Sequence, residues 1–167
     1  MSSTKARSHN GSGALLTSIA LICSLGGALW GCNAASLKTP DSFVSMERVR
    51  SRNYFKAVSP DNAVITVSSF EHKDKGNLGY WTEILKREMT LRKGYTLKAV
   101  DPVKAKDGLE GRRLTFQTQS GTVKYLYAAH LFVTKKYIHV METAAKEADY
   151  PKHQAAFDEA LGSLSPR

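Results

Sequence analysis

The chain has 167 residues, of which 42% are hydrophobic and 23% are charged, and its formal net charge is +9. This size and composition fit one globular domain preceded by a leader. Both cysteines, Cys23 and Cys32, lie in the first 32 residues, which excludes a disulfide, a thiolate nucleophile and a cysteine metal site from the rest of the chain.

The first part of the chain has the pattern of an export signal. Lys5 and Arg7 form a basic start, and residues 8–37 contain no formally charged side chain. A basic segment followed by an apolar one is typical of a secretory signal peptide. The alternative is an uncleaved membrane anchor, but a spanning helix needs about 20 strongly apolar residues. This apolar run is shorter and is diluted by serine, threonine and glycine.

The end of the apolar run resembles the bacterial lipobox, in which an aliphatic residue and two small residues precede a cysteine. The four residues are Leu29, Trp30, Gly31 and Cys32. The resemblance implies that the Cys32 thiol receives a diacylglyceryl group, that cleavage occurs before Cys32, and that the new amino group is acylated, for instance with palmitate. Trp30 is bulkier than the usual residue, so that an uncleaved anchor and simple secretion stay open as alternatives.

These features predict three regions in the chain: a lipoprotein signal peptide over residues 1–31, a lipidated cysteine with a short tether over 32–42, and a single domain over 43–167. Asn33 follows the lipidated position. In a host with two membranes, the absence of Asp there favours the periplasmic face of the outer membrane over the inner membrane, by resemblance to enterobacterial sorting.

The folded part begins with a predicted β-hairpin. Residues 53–58 form its first strand, residues 59–62 form a turn with proline, and residues 63–69 alternate between apolar and polar side chains. Residues 78–92 then have helical spacing, with Gly94 as a stop signal. In the following strand, we expect Tyr95, Leu97 and Ala99 to share one face.

Three further strands and a helix complete the domain. Residues 111–119 alternate, with Leu114 and Phe116 facing inward, whereas residues 123–134 and 137–144 are apolar on both faces. A strand that is apolar on both faces is covered on both faces, so we expect 123–134 to be central. The last helix is predicted over residues 151–161, and its apolar stripe extends from Tyr150 to Leu164.

The order ββαββββα predicts an α+β fold, an α/β/α sandwich with a mostly antiparallel central sheet and a helix on each face. The order resembles the fold shared by the photosystem II extrinsic protein PsbP, DcrB-type bacterial lipoproteins and a eukaryotic Ran-binding protein. The resemblance spans residues 54–164 and implies a binding or assembly module. Its carriers are the Ser59-Pro60 hairpin, Tyr80-Trp81, the segment 109–112, Tyr125-Leu126-Tyr127 and the closing stripe from Phe157 to Leu164.

No arrangement of residues in the sequence points to catalysis, to a cofactor or to a phosphate loop. His130 and His139 lie on adjacent predicted strands and suggest a metal site together with Glu142, but local hydrogen bonding on a sheet is the commoner role. Tyrosines 125, 127 and 137 either line a ligand pocket or pack in the sheet. Basic residues cluster between Lys86 and Arg113, where we expect a solvated helix face. Adjacent Arg112 and Arg113 point to opposite faces of the sheet, so both cannot join one basic patch.

The sequence therefore predicts a membrane-tethered lipoprotein of the cell envelope that acts as a binding or assembly module and is not an enzyme. Its expected partners are membrane lipid, through acylated Cys32, and an envelope protein, with no nucleic acid, metal or cofactor. The alternatives are an envelope carrier of a lipid or small ligand, which requires an apolar cavity between the sheet and one helix, and a hydrolytic enzyme.

Overall fold

The computed structural model describes residues 35–46, 54–73 and 76–167. The leader, Cys23 and Cys32 lie outside the described residues. The strands are β1 (Ala35–Ser36), β2 (Val44–Ser45), β3 (Tyr54–Val58), β4 (Val64–Glu71), β5 (Thr96–Lys104), β6 (Glu110–Ser120), β7 (Val123–Val133), β8 (Tyr137–Lys146) and β9 (Ser165–Pro166). The helices are α1 (Leu78–Arg87), which continues as a π-helical turn over Glu88–Arg92, and α2 (Tyr150–Ser163).

Seven strands form one antiparallel sheet in the order β2-β3-β4-β8-β7-β6-β5, and β1 pairs with β9 in a separate two-stranded sheet. The mixed α+β class, with a large antiparallel sheet and two helices, is confirmed. The three two-residue strands were not predicted, because so short a segment has no periodicity to detect. No helix among the described residues is long and apolar enough to cross a membrane.

The first hairpin closes with the turn that the sequence predicts. Asn62 has a φ of 67°, a left-handed conformation that asparagine tolerates. The Ser59 hydroxyl accepts a hydrogen bond from the backbone N–H of Ala63 at 2.9 Å and donates one to Asp61 at 2.5 Å. Asp61 also accepts from Lys152 at 2.7 Å and His153 at 3.0 Å, and these bonds join the turn to the start of α2. The Lys152 and Ser59 hydrogen bonds hold the pKa of Asp61 below its usual range.

Helix α1 begins at an asparagine cap, because the Asn77 side chain accepts a hydrogen bond from the backbone N–H of Tyr80 at 2.9 Å. Gly94, with a φ of 71°, follows the π-helical turn and ends the helical segment. The inner side of the segment packs through buried Met89 on Leu114 and Phe116 of β6, which are also buried, and on Tyr127 of β7.

Helix α2 covers the other main core. Its Phe157, Ala160 and the following Leu164 pack with a set of buried sheet residues that includes Ile65, Val67, Ala57, Phe132 and Met141. Phe132 is fully buried, and β7 lies between β8 and β6, so the interior position predicted for this strand is confirmed. Phe132 and Tyr127 are an odd number of residues apart on β7, so their side chains lie on opposite faces of the sheet. The α2 core and the α1 core are therefore on opposite faces.

One expectation about strand β5 was wrong. The pairing of β5 with β6 shifts between Leu97 and Ala99, so that Leu97 lies opposite Phe116 and Ala99 lies opposite Thr115. This irregularity places Leu97 with the α1 core and breaks the alternation that the sequence suggested.

The segment from Ala35 to Met46, most of which the sequence predicts to be a tether, packs along the domain. Ala35 and Ser36 pair with β9, and the ammonium group of Lys38 lies 2.8 Å from a Glu159 carboxylate oxygen. Phe43 is buried, and its ring contacts the rings of His153 and Phe157. The described chain is therefore packed on the domain at its first residue, Ala35, which is three positions after Cys32 in the sequence.

Candidate ligand groove beside the first helix

An apolar groove of about 570 Å³ lies between α1 and the neighbouring ends of β4 and β8. Its floor and walls are mainly apolar side chains, and polar or charged residues stand at its rim. The lining residues are Phe70, Trp81, Ile84, Leu85, Leu131, Ile138 and Val140, with Glu71, His72, Lys73 and Glu88 at the rim. This volume falls within the range of about 300–1,000 Å³ that is typical of small-molecule sites.

The groove exists because α1 is narrower than the sheet that it covers. Its buried contacts are to Leu114 and Phe116 on β6 and to Tyr127 on β7, and the neighbouring β4 and β8 lie beyond them in the sheet. Phe70 on β4 is therefore 56% exposed, and Ile84 on α1 is 43% exposed. These two large apolar side chains are exposed to solvent and line the same groove. Exposed apolar residues that are grouped in this way indicate a binding surface, whereas scattered ones do not.

The acidic residues at the rim of the groove are already paired. Glu71 lies 3.8 Å from the ammonium group of Lys136, and Glu88 lies 3.0 Å from the guanidinium group of Arg92. The His72 ring donates a hydrogen bond from Nε2 to the carbonyl of Thr134 at 3.0 Å. Lys73 is exposed and forms no ion pair within the described residues, so it is available to an anionic group.

Next to the groove, on the α1 face of the sheet, a second group of polar side chains is hydrogen-bonded within itself. Both carboxylate oxygens of Glu142 accept hydrogen bonds, one from Thr66 at 2.7 Å and one from the Tyr127 hydroxyl. Burial and the adjacent Glu142 carboxylate raise the pKa of Tyr127 far above its ordinary value. This tyrosine is a hydrogen-bond donor at all physiological pH values, and the arrangement fixes the positions of three strands, β4, β7 and β8, relative to one another.

The three residues considered for a metal site do not converge. His130 and His139 lie on the α2 face, where His130 is opposite Met141 and His139 is opposite Phe132, whereas Glu142 lies on the α1 face. His130 donates from Nδ1 to the carbonyl of Met141 at 3.3 Å. Within the described ranges, no three His, Cys, Asp or Glu side chains are placed to hold a metal ion.

Ser69 and His139 form a pair that the sequence does not predict, because their proximity depends on the register of β4 with β8. The hydroxyl oxygen lies 2.9 Å from Nδ1 of the imidazole. Both residues are buried, and burial lowers the pKa of His139 to about 4. A nucleophile and base must be open to a substrate, so this pair has the contacts of a structural hydrogen bond.

The tyrosines considered for a pocket do not line the groove. Tyr127 packs with Tyr95 and Phe116 at ring-centroid distances of 5.6 Å and 6.1 Å, so it belongs to the α1 core. Arg112 and Arg113 point to opposite faces, as predicted, because they lie opposite Leu131 and His130 on β7. Arg113 pairs with Asp101 at 3.2 Å, while Arg112 donates to the carbonyl of Gly111.

The residues that form the groove were not identified as a site from the sequence. A signal was present in two places: Phe70 occupies the polar face of β4 after Thr66 and Ser68, and the apolar side of α1 is wide enough to include Ile84. Each observation alone is ordinary. They become a site only when β4 lies beside α1, and that adjacency depends on strand order.

No family model matches this chain, and no curated protein matches it in sequence. Solved structures do match its fold. LpqN, described as involved in cell envelope biogenesis of Mycobacterium tuberculosis, matches with a TM-score of 0.59 at 10% identity, covering 78% of this chain and 82% of LpqN. The cyanobacterial PsbP protein CyanoP from Synechocystis sp. PCC 6803 matches with a TM-score of 0.55 at 13% identity, covering 87% of this chain and 99% of CyanoP.

A third match is the Saccharomyces cerevisiae Ran-binding protein Mog1p, with a TM-score of 0.53 at 12% identity, covering 83% of this chain and 92% of Mog1p. The chain spans 45% of a Bacteroides thetaiotaomicron structure that it also matches, with a TM-score of 0.50 at 15% identity and coverage of 80% of this chain. These likenesses show that the chain has a PsbP/Mog1-like fold. At such low identity they concern the fold alone.

Proposed function

We propose that this chain is a lipid-anchored binding or assembly module of the bacterial cell envelope, built as an α/β/α sandwich and tethered to a membrane through Cys32. The observation that carries the binding role is the apolar groove beside α1, where Phe70 and Ile84 face solvent. The structural neighbours support this role, since one is described as a Ran-binding protein and another as involved in cell envelope biogenesis.

The second candidate is a carrier of a lipid or small apolar ligand. A carrier requires an apolar cavity between the sheet and one helix, and the groove occupies that position. A hydrolytic enzyme is less favoured, because Ser69 and His139, the pair most similar to a nucleophile and base, are sealed from solvent.

Site-specific crosslinking in cells distinguishes these functions. A photoreactive amino acid replaces Ile84 in the groove, and a matched variant carries it at Ala155, which is exposed on α2. We expect adducts from position 84 and not from position 155. A protein adduct supports an assembly module whose groove binds a protein partner, and a lipid adduct supports a groove that binds lipid, as a carrier requires. Equal adducts from both positions, or none from position 84, would contradict a binding role for the groove.

The tether is tested with the two cysteines of the chain. We expect Cys32→Ala to abolish labelling by a clickable fatty acid and to leave the precursor uncleaved, because only a thiol forms the thioether. Cys23→Ala, in the apolar run of the leader, is the matched control and should be labelled like the natural chain. Fatty-acid labelling of the Cys32→Ala variant would contradict the lipoprotein assignment.

A further inference from the structure

The groove opens at one particular end of the sheet. Residues 105–109 connect β5 to β6 at this end, and residues 134–136 connect β7 to β8. The register confirms their proximity, since Gly111 lies opposite Phe132 and Ile138 lies opposite Phe70. The chain leaves β4 here through His72 and Lys73, which are part of the groove rim. We call this the groove end of the sheet.

The two ends of the sheet carry opposite charge. In the described connecting segments at the groove end, four lysines stand against one acidic residue: Lys73, Lys106, Lys135 and Lys136 against Asp107. In the connecting segments at the far end, three acidic residues stand against one lysine: Asp61, Glu147 and Asp149 against Lys93. Lysines 73, 106 and 135 are exposed and form no ion pair within the described residues, so their charge is available to an anionic surface.

The proposed anchor leads to the same end. The backbone N–H of Lys106 donates to the carbonyl of Leu164 at 2.9 Å, which places the 105–109 segment beside β9. Ala35 pairs with Pro166 of β9, and three positions separate Ala35 from Cys32. An extended chain of that length reaches only about 10 Å. An acyl group on Cys32 therefore holds this part of the domain close to the membrane.

We propose that the groove end docks on an anionic membrane surface, with lipid head groups at Lys73, Lys106 and Lys135 and one acyl chain of an anionic lipid in the groove. The proposal rests on the tether proposed above. The two acidic residues at the groove rim, Glu71 and Glu88, form ion pairs with Lys136 and Arg92, so the net charge at the groove end stays positive. An apolar groove with cations at its mouth is complementary to a lipid with an acidic head and an apolar tail.

Trp81 provides a local probe, because it lines the groove and is the only tryptophan from Cys32 to Arg167. The chain from Cys32 onward is anchored through that thiol to maleimide lipids in vesicles with brominated acyl chains, which quench tryptophan on contact. We expect strong quenching in vesicles that contain phosphatidylglycerol and weak quenching in vesicles of phosphatidylcholine alone. Raising the salt concentration should reduce the difference, because exposed charges are screened.

A charge-reversed pair of variants tests the surface. Lys106→Glu with Lys135→Glu should shift the docking equilibrium by at least about fivefold per lysine and restore Trp81 fluorescence. Lys93→Glu with Lys124→Glu changes the same charge at the far end and should leave the quenching intact. Circular dichroism of both variants checks that the exposed substitutions leave the fold unchanged.

Two outcomes overturn the docking surface: equal quenching in both kinds of vesicle, or equal loss of quenching in both charge-reversed variants. Coupling through maleimide supplies the anchor whether or not cells acylate Cys32. Quenching without fatty-acid labelling in cells would refute the tether and support the surface. Labelling without quenching would refute the surface and leave the tether standing.

Discussion

The two faces of the sheet are built differently. On the α2 face, twelve buried apolar residues form one cluster, which the 35–46 segment, β9 and the helix itself cover. On the α1 face, the buried cluster contains Met89, Leu114 and Phe116, and the helix leaves part of the sheet open. The difference teaches that burial on the α2 face supplies most of the stability, while the α1 face keeps apolar surface available for binding.

The largest expected effect comes from the α2 face. Phe132→Ala removes a fully buried ring that packs in the α2 core, and such truncations cost about 3–5 kcal/mol. Urea unfolding of the chain from Cys32 onward measures this loss. Thr115→Ala on β6 is the control, and it should change the free energy of unfolding by less than about 1 kcal/mol. Thr115 lies on the same face but is only half-buried, so similar losses in the two variants would show that the Phe132 ring is not part of the stabilising core.

An effect of intermediate size comes from two histidines on the same face. Burial lowers the pKa of His130 and of His139 to about 4, from an ordinary value of 6.5. Arg113 on β6 and Asp158 on α2 also act on His130, and Asp107 acts on His139. The unfolded chain binds protons between these two pH values and the folded chain does not, so stability falls as the pH drops through this window.

At about pH 5, His130 alone should lower the free energy of unfolding by about 2 kcal/mol relative to about pH 7.5, and His139 should act in the same direction. Urea unfolding at the two pH values measures the change. His130→Gln removes one of the two titrating groups and should reduce the pH dependence. Stability that does not change across this range would contradict the burial of neutral imidazoles in the α2 core.

The smallest effect on stability is expected from the groove. Phe70→Ser replaces a side chain that is largely exposed, so the free energy of unfolding should change by only about 0.5 kcal/mol. The same variant should lose acyl-chain quenching of Trp81, because Phe70 forms part of the groove lining. A loss of stability as large as that of Phe132→Ala would mean that Phe70 belongs to a core and not to a binding surface.

The regular elements were predictable because each one carries its own periodicity. The alternation in 63–69 and 111–119 and the helical spacing in 78–92 are local properties, and the structure has strands and a helix there. The exception in β5 has a local cause that periodicity does not report, since the irregularity between Leu97 and Ala99 changes which face a side chain takes. The groove was not predictable in the same way, because its walls come from segments distant in the chain.

The sequence by itself determined the α+β class, the main strands and helices, and the prediction of a lipidated Cys32, because each depends on residues close together in the chain. Only the tertiary structure decided which part of the sheet α1 leaves uncovered, which end of the sheet the lysines share, and that Ala35 and Ser36 pair with the last strand. Strand order and register set these features, and both are determined by pairing between distant segments whose burial no local pattern specifies.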